Sequence, residues 1–321
     1  MNYLYAINFA PGFEELVADT LKGAGAKVVF SEEAFALVQF EKEVKVGELG
    51  FAKSVIQVFN HSASSKDLKF ILPDDFRTPE GRTFSIRNFD AGKPAKMEEE
   101  QRVDLIREIS KKTKLRYSSF EPDADFVVAK RRDGMSYFGY KLDTKNKGKI
   151  QKGEINPDVA NLLINLGEMK NGGRALDAFA GYGGISKELE RGFKPVNVTA
   201  VEKNSTLVNK LKSGFGNKSK VRVVASDVVN FLKSTELDFD LIIADPPWGE
   251  FEDYPGDLGK LYFDFLISAK LKLASGGRVV VISSAKDILE SAALDSGMRI
   301  YEKLNVLISG KKVLVLKLGE S

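Results

Sequence analysis

Apolar and polar positions change regime about halfway along the chain. In the first half, short strand-like runs are interleaved with a few helical stretches. Residues 3–9 (YLYAINF) read as a strand that Pro11 and Gly12 interrupt, and Phe13–Gly23 reads as a short amphipathic helix. Strands are expected at Lys27–Phe30, Ala34–Phe40 and Val55–Asn60, with a second helix around Val46–Ala52. Thr83–Phe89 alternates as a strand, and Met97–Leu115 reads as a long helix with Val103, Leu105, Ile106 and Ile109 among its apolar positions. Asp125–Arg131 and Met135–Leu142 make a hairpin about Asp133-Gly134, a favoured turn pair. The β–α–β–β run closes near residue 142.

From residue 156 the pattern becomes regular βα alternation. A helix over Pro157–Leu166 begins with Pro at an N1-like position. Strands are expected at Arg174–Phe179, Asn197–Val201, Val221–Ala225, Phe239–Ala244 and Gly277–Ser283, with helices between. Ile300–Ile308 and Lys311–Leu318, joined at Ser309-Gly310, read as an antiparallel hairpin. The expected class is α/β. Residues 151–321 form a Rossmann-like domain, a parallel sheet ending in an antiparallel hairpin. Residues 1–150 form an α+β region that starts like a ferredoxin-like fold.

Composition narrows the chemistry. The 321 residues include no cysteine and one histidine, His61, which reads as a surface or loop residue. Disulfides, thiolate metal sites, cysteine nucleophiles and histidine-based triads are excluded, and no metal site is expected. No run of eighteen apolar residues exists, and the first fifteen residues lack a signal-peptide pattern, so a cytoplasmic protein is expected. Net charge is +3, compatible with nucleic acid as a partner. Residues 141–154 hold five lysines against one Asp and one Glu. They read either as a solvated connector or as a phosphate-facing strip.

The stretch Asp245-Pro246-Pro247-Trp248-Gly249 follows the apolar strand FDLIIA. Two prolines cannot continue a central strand, so the chain leaves the sheet here, at a strand carboxyl end where ligands bind in open α/β sheets. The Asp245 carboxylate and the Pro246 carbonyl can accept both hydrogens of an exocyclic amine, and Trp248 can stack on its ring. Three earlier junctions carry comparable signals. The first strand runs into Asp177-Ala178-Phe179-Ala180-Gly181-Tyr182-Gly183-Gly184, a glycine turn that permits close approach of a ligand. Glu202 ends the second strand, 21 residues after Gly181, placed for ribose hydroxyls. Asp227 follows the third strand, where it can meet an adenine amine or simply cap a helix.

These residues resemble the class I S-adenosylmethionine-dependent methyltransferases, and more narrowly the THUMP-domain RNA guanine-N2 methyltransferases. NPDVANLLINL, DAFAGYGG with Glu188, VEKN, SDV, DPPWG and ISGKKVLVLKL carry the likeness, which is nearest to archaeal-type tRNA guanosine-10 enzymes. FSIRNF and PDADFVVAKRRDGMSYFGYKL match a THUMP region loosely. Two positions depart: Trp248 stands where the family usually has Tyr or Phe, and Gly184 where it usually has Thr.

The resemblance implies S-adenosyl-L-methionine as cofactor. Pro157, Asp177, Phe179, Ala180, Gly181, Gly183, Glu202, Lys203, Asp227 and Val228 would hold it, and Asp245, Pro246, Pro247 and Trp248 would hold the base. RNA, foremost tRNA methylated at position 10, is the implied partner. Lys130, Arg131, Arg132, Lys145, Lys147 and Lys149 are the candidate RNA contacts. The protein is expected to act as a monomer, away from membranes. An adenine-N6 methyltransferase, an rRNA guanine-N2 methyltransferase, a small-molecule amine methyltransferase and a non-catalytic RNA-binding protein are the competing readings.

Overall fold

The structure is a computed structural model that describes residues 3–142, 150–169, 171–192, 197–216, 218–249 and 256–320. Two compact units divide the chain. One comprises Met1–Asn8, Leu21–Val46 and Lys53–Lys145; the other comprises Phe9–Thr20, Gly47–Ala52 and Asn146–Ser321.

The chain begins with β1 (Tyr3–Asn8), α1 (Glu14–Gly23), β2 (Lys27–Glu32), β3 (Phe35–Phe40) and β4 (Ser54–Ser62). It continues with β5 (Thr83–Asp90), β6 (Lys93–Pro94), α2 (Glu99–Thr113), β7 (Arg116–Tyr117), β8 (Ala124–Lys130) and β9 (Ser136–Leu142). These nine strands form one sheet, in the order β2-β3-β1-β4-β9-β8-β5-β6, with β7 paired to β5. The β4–β9 pairing makes the two segments read separately in the sequence one continuous sheet. β5 and β8 are parallel, which requires a crossover, and α2 lies within it. Leu105 and Ile109 of α2 bury with Phe84, Phe126 and Phe138. His61 is on β4, on the surface rather than in a loop.

One expected helix is absent. Val46–Ala52 holds only a 3₁₀ turn, Val46–Glu48. Gly47 and Gly50 disfavour a helix in so short a stretch. Gly50 also has a packing role, since a Cβ there would lie 2.6 Å from Nδ2 of Asn161.

In the second unit α3 (Pro157–Leu166) precedes β10 (Arg174–Asp177), α4 (Gly184–Gly192), β11 (Asn197–Glu202), α5 (Ser205–Phe215) and β12 (Val221–Ala225). Then come α6 (Val228–Ser234), β13 (Phe239–Ala244), α7 (Leu258–Lys270), β14 (Leu273–Ser283), α8 (Lys286–Asp295), β15 (Arg299–Ile308) and β16 (Lys311–Gly319). The sheet order is β12-β11-β10-β13-β14-β16-β15. β12 to β14 run parallel, and β16 and β15 are antiparallel additions. The later arm of the hairpin, not the earlier, abuts the parallel strands. β16 is almost continuously apolar and buried, which suits a central strand, whereas β15 is largely exposed and forms the edge. Lys317, buried in β16, is held between Glu168 and Glu302 at 3.0 and 2.9 Å.

The segment Phe9–Thr20 packs on this unit. The Leu307 amide donates to the Pro11 carbonyl at 3.1 Å. Gly12, at φ +94°, leaves only 2.5 Å between a would-be Cβ and the Asn305 carbonyl oxygen. Among the described residues, no helix is long and apolar enough to cross a membrane.

Candidate active site

β10 is the first strand of its sheet in sequence and sits in the middle of the five parallel strands. The chain winds outward from it to β11 and β12 on one side, and restarts at β13 on the other. Loops leaving β10 and β13 therefore part in opposite directions. This is the switch point where open α/β sheets bind ligands. Asp177 ends β10, and Asp245 directly follows β13. The two strands are paired, with Asp177 in register with Ile243.

Asp177 is 1% exposed. Its Oδ2 accepts hydrogen bonds from the Ser186 amide (3.0 Å) and hydroxyl (2.7 Å), pinning the start of α4. Its Oδ1 is buried with no partner among the described residues. Burial raises the Asp177 pKa to about 6; the Ser186 bonds oppose the shift and the Glu202 charge adds to it. An unmatched buried carboxylate oxygen is costly, and a polar ligand group at the site would relieve it.

The glycine turn is shaped for close approach. Gly181 and Gly183 have φ of +52° and +81°, conformations that side chains rarely adopt. A Cβ on Gly183 would meet Leu211 at 2.7 Å. Gly184 is explained too: its Cβ would lie 2.7 Å from Ile155 Cγ2 and 3.1 Å from the Ile155 carbonyl oxygen, so the larger Thr has no room. That approach brings the segment before Pro157, the first residue of α3, onto the turn, where Glu154 pairs with Lys187 at 2.6 Å. Phe179 packs edge-on against Phe265 of α7, with ring centroids 5.3 Å apart. The Ala180 amide donates to the Val201 carbonyl at 2.9 Å.

Glu202 uses both oxygens on backbone, accepting from Gly181 (2.9 Å) and Asn204 (2.7 Å). Lys203 follows it, exposed. Asp227 caps α6 by accepting from the Val229 and Asn230 amides through Oδ1, and Val228 behind it is buried. Glu188 is buried in α4 and pairs with Arg191 at 2.7 Å.

Burial raises the Asp245 pKa to about 7. The Trp248 indole N–H partly offsets this, and the Asp177 charge adds to it. The indole stops short of hydrogen-bond geometry, and its buried Nε1 has no partner among the described residues. Pro246 is buried. The Pro247 carbonyl accepts a hydrogen bond from the Tyr262 hydroxyl at 2.7 Å, and Ser283 Oγ lies 2.8 Å from that hydroxyl. Tyr262, Ser283 and Ser186 join the site only in the folded chain. In the sequence Ser283 is marked by nothing beyond its place at the end of a strand, and Tyr262 looks like one more apolar-face residue of α7.

The candidate RNA contacts differ in environment. Arg131 is ion-paired with Glu32, its guanidinium is stacked 4.0 Å over the Phe35 ring, and its side chain is only 14% exposed. Lys130 and Arg132 are exposed, each in a long contact with a carboxylate, Asp90 at 3.8 Å and Glu33 at 3.7 Å. Lys145, Lys147 and Lys149 lie outside the described residues.

Comparison with known proteins agrees with this architecture. The chain is 21% identical over 380 aligned positions to the tRNA (guanine(6)-N2)-methyltransferase of Methanocaldococcus jannaschii, covering 95% of this chain and 97% of that protein. It is 29% identical over 171 residues to the tRNA (guanine(10)-N2)-dimethyltransferase of Methanothermobacter thermautotrophicus, covering 52% of this chain and 49% of that protein. The crystal structure of TrmN from Thermus thermophilus matches with a TM-score of 0.76 at 21% identity, over 99% of this chain and 100% of that one. The family described as RMKL-like, methyltransferase domain, matches residues 146–313, and the chain belongs to it.

Proposed function

We propose that this protein transfers a methyl group from S-adenosylmethionine to the exocyclic N2 amine of a guanosine in tRNA. The observation that carries the proposal is the Asp245–Trp248 turn at the switch point, opposite a buried carboxylate oxygen of Asp177 that lacks a partner among the described residues. Relatives named as tRNA guanine-N2 methyltransferases support guanine over adenine.

The residues present fit the cofactor. Gly181 and Gly183 offer a cradle without side chains, Asp177 Oδ1 and Asp227 offer acceptors, and each Glu202 oxygen keeps a second lone pair for a ribose hydroxyl. When bound, S-adenosylmethionine supplies an electrophilic methyl group on a sulfonium. The remaining steps belong to the chain. The Asp245 carboxylate and the Pro246 carbonyl accept the two amine hydrogens, which turns the nitrogen lone pair out of conjugation. Trp248 stacks on the base, which must first leave its helix. After transfer the ammonium is acidic, and Asp245 takes its proton. A carboxyl poised near 7 is matched to that task at neutral pH.

The N-terminal unit serves as the RNA-binding, THUMP-like region, with Lys130 and Arg132 among its exposed cations, and the enzyme works in the cytoplasm. The sequence resemblance implies position 10. Extent of alignment favours position 6 instead. The guanine-10 relative aligns over half of this chain, whereas the guanine-6 relative aligns over nearly all of it, including the region that would present the RNA. Incubation with unmodified tRNA and labelled cofactor, followed by nucleoside digestion and mass spectrometry, tests the proposal. N2-methylguanosine is expected. N6-methyladenosine as the sole product would replace guanine by adenine, and fragment mapping separates position 6 from 10.

A further inference from the structure

The carbonyl of Pro247 ends a one-way series of hydrogen bonds. It has no proton to give, so the Tyr262 hydroxyl, 2.7 Å away, is the donor. That hydroxyl has one proton, already used. Towards Ser283 Oγ, 2.8 Å away, it must therefore accept, and the Ser283 hydroxyl donates. Ser283 Oγ in turn accepts from the Ala285 amide at 3.0 Å. Donation thus runs from Ala285 to Ser283 to Tyr262 to Pro247. Tyr262 is 1% exposed and Ser283 fully buried, so water does not compete for either hydroxyl. Burial pushes the Tyr262 pKa up to about 12, with the nearby Asp245 charge adding to the shift, so the donor keeps its proton across the working range.

The target of this series is mechanically significant. Proline has a fixed φ, so the soft torsion left at Pro247 is ψ, which sets the direction of its carbonyl and the plane of the peptide leading into Trp248. Holding that carbonyl fixes the torsion. On the far side, Gly249 turns at φ +77°, and Leu258 of α7 fills the space where a Cβ would be, 2.6 Å away. The backbone of Trp248 is thereby determined from both ends, by α7 and by the end of β14.

We propose that Tyr262 and Ser283 are positioning residues that aim Trp248 and the Pro246 carbonyl at the target base. Neither touches the base; they act through the Pro247 peptide. The proposal rests on the base-methylating reading of the Asp245–Trp248 turn. Trp248 is the only tryptophan in the chain, so its fluorescence reports on the turn without any substrate.

The test uses full-length Tyr262→Phe and Ser283→Ala proteins. For Tyr262→Phe, kcat should fall roughly ten- to a hundredfold, the dissociation constant for S-adenosylmethionine should change less than about twofold, and Trp248 emission and acrylamide quenching should differ from wild type. Ser283→Ala should move every readout the same way but less, because Tyr262 keeps its proton for Pro247. The double variant should be no worse than Tyr262→Phe, since the two act in series. Unchanged kcat and unchanged Trp248 quenching in Tyr262→Phe would overturn the proposal. If that variant does not fold, Ser283→Ala decides by the same readouts. If the wild type methylates no guanosine in tRNA, the substrate reading fails, and the quenching difference alone decides the positioning role.

Discussion

The Gly181 amide donates to Glu202 Oε2 at 2.9 Å, joining the loop after β10 to the end of β11. With Oε1 held by the Asn204 amide, Glu202 is both the candidate ribose acceptor and the tether of the glycine turn. Glu202→Ala should weaken S-adenosylmethionine binding about tenfold or more, the loss of about one charge-assisted hydrogen bond. It should also lower the melting temperature by a few degrees, because two backbone amides lose their acceptor. Calorimetry and thermal melts measure the two effects separately.

In the proposed reaction Asp245 acts as a carboxylate, accepting one amine hydrogen and then the proton of the ammonium, and burial raises its pKa to about 7. The rate with tRNA should therefore drop about tenfold per pH unit below about 7 and level off above it. Asp245→Asn should abolish this dependence and reduce turnover about a hundredfold or more. A pH profile of kcat/KM on free enzyme checks both statements.

Asp177 and Asp245 titrate in the folded chain near 6 and 7, above the ordinary carboxylate value of 3.8. The folded state therefore binds protons that the unfolded chain has released. These two groups favour folding most below about pH 4, and stability is lost as pH rises through 6 and 7. Asp245→Asn removes its share of that loss. The variant should melt a few degrees above wild type at pH 8, with the gap narrowing as pH falls towards 4. Paired melting curves across pH supply the comparison.

The two neighbouring arginines should separate binding from stability. Arg131→Ala removes an ion pair to Glu32 and a cation stacked on Phe35, so it should destabilise its unit by about 1–3 kcal/mol. Arg132→Ala and Lys130→Ala should leave melting unchanged and weaken tRNA binding, each reducing the salt slope by about one. Filter binding at several salt concentrations distinguishes the two classes.

A fragment of residues 151–321 lacks Phe9–Thr20 and Gly47–Ala52, which belong to the same compact unit. It should melt well below the full chain, by about ten degrees or more. In the full chain, Gly12→Ala should reproduce part of the effect, since its Cβ would press on the Asn305 carbonyl.

The parallel βα alternation, the hairpin at Ser309-Gly310 and the placing of Asp177, Glu202, Asp227 and Asp245 at strand ends are legible in the residues alone. Each is a local matter of hydrophobic period or turn chemistry, expressed within a few residues. The 3₁₀ turn at Val46–Glu48 marks the lower limit of such signals, where two glycines outweigh a faint helical pattern. Tertiary structure alone decided which strand ends adjoin. The pairing of β10 with β13 sets Asp177 beside Asp245, 68 positions apart in sequence, so that the Asp177 charge adds to the upward shift that burial imposes on Asp245. The same holds for Arg131, which looks like a free cation in the sequence until β2 and β3 bring Glu32 and Phe35 to it. It holds most for Tyr262 and Ser283, whose hydroxyls are silent in any periodicity and acquire a partner only when α7 and β14 close on the Pro247 carbonyl. A hydrogen bond between distant residues leaves no period in the chain, because its geometry is set by the packing of elements rather than by the propensity of either residue.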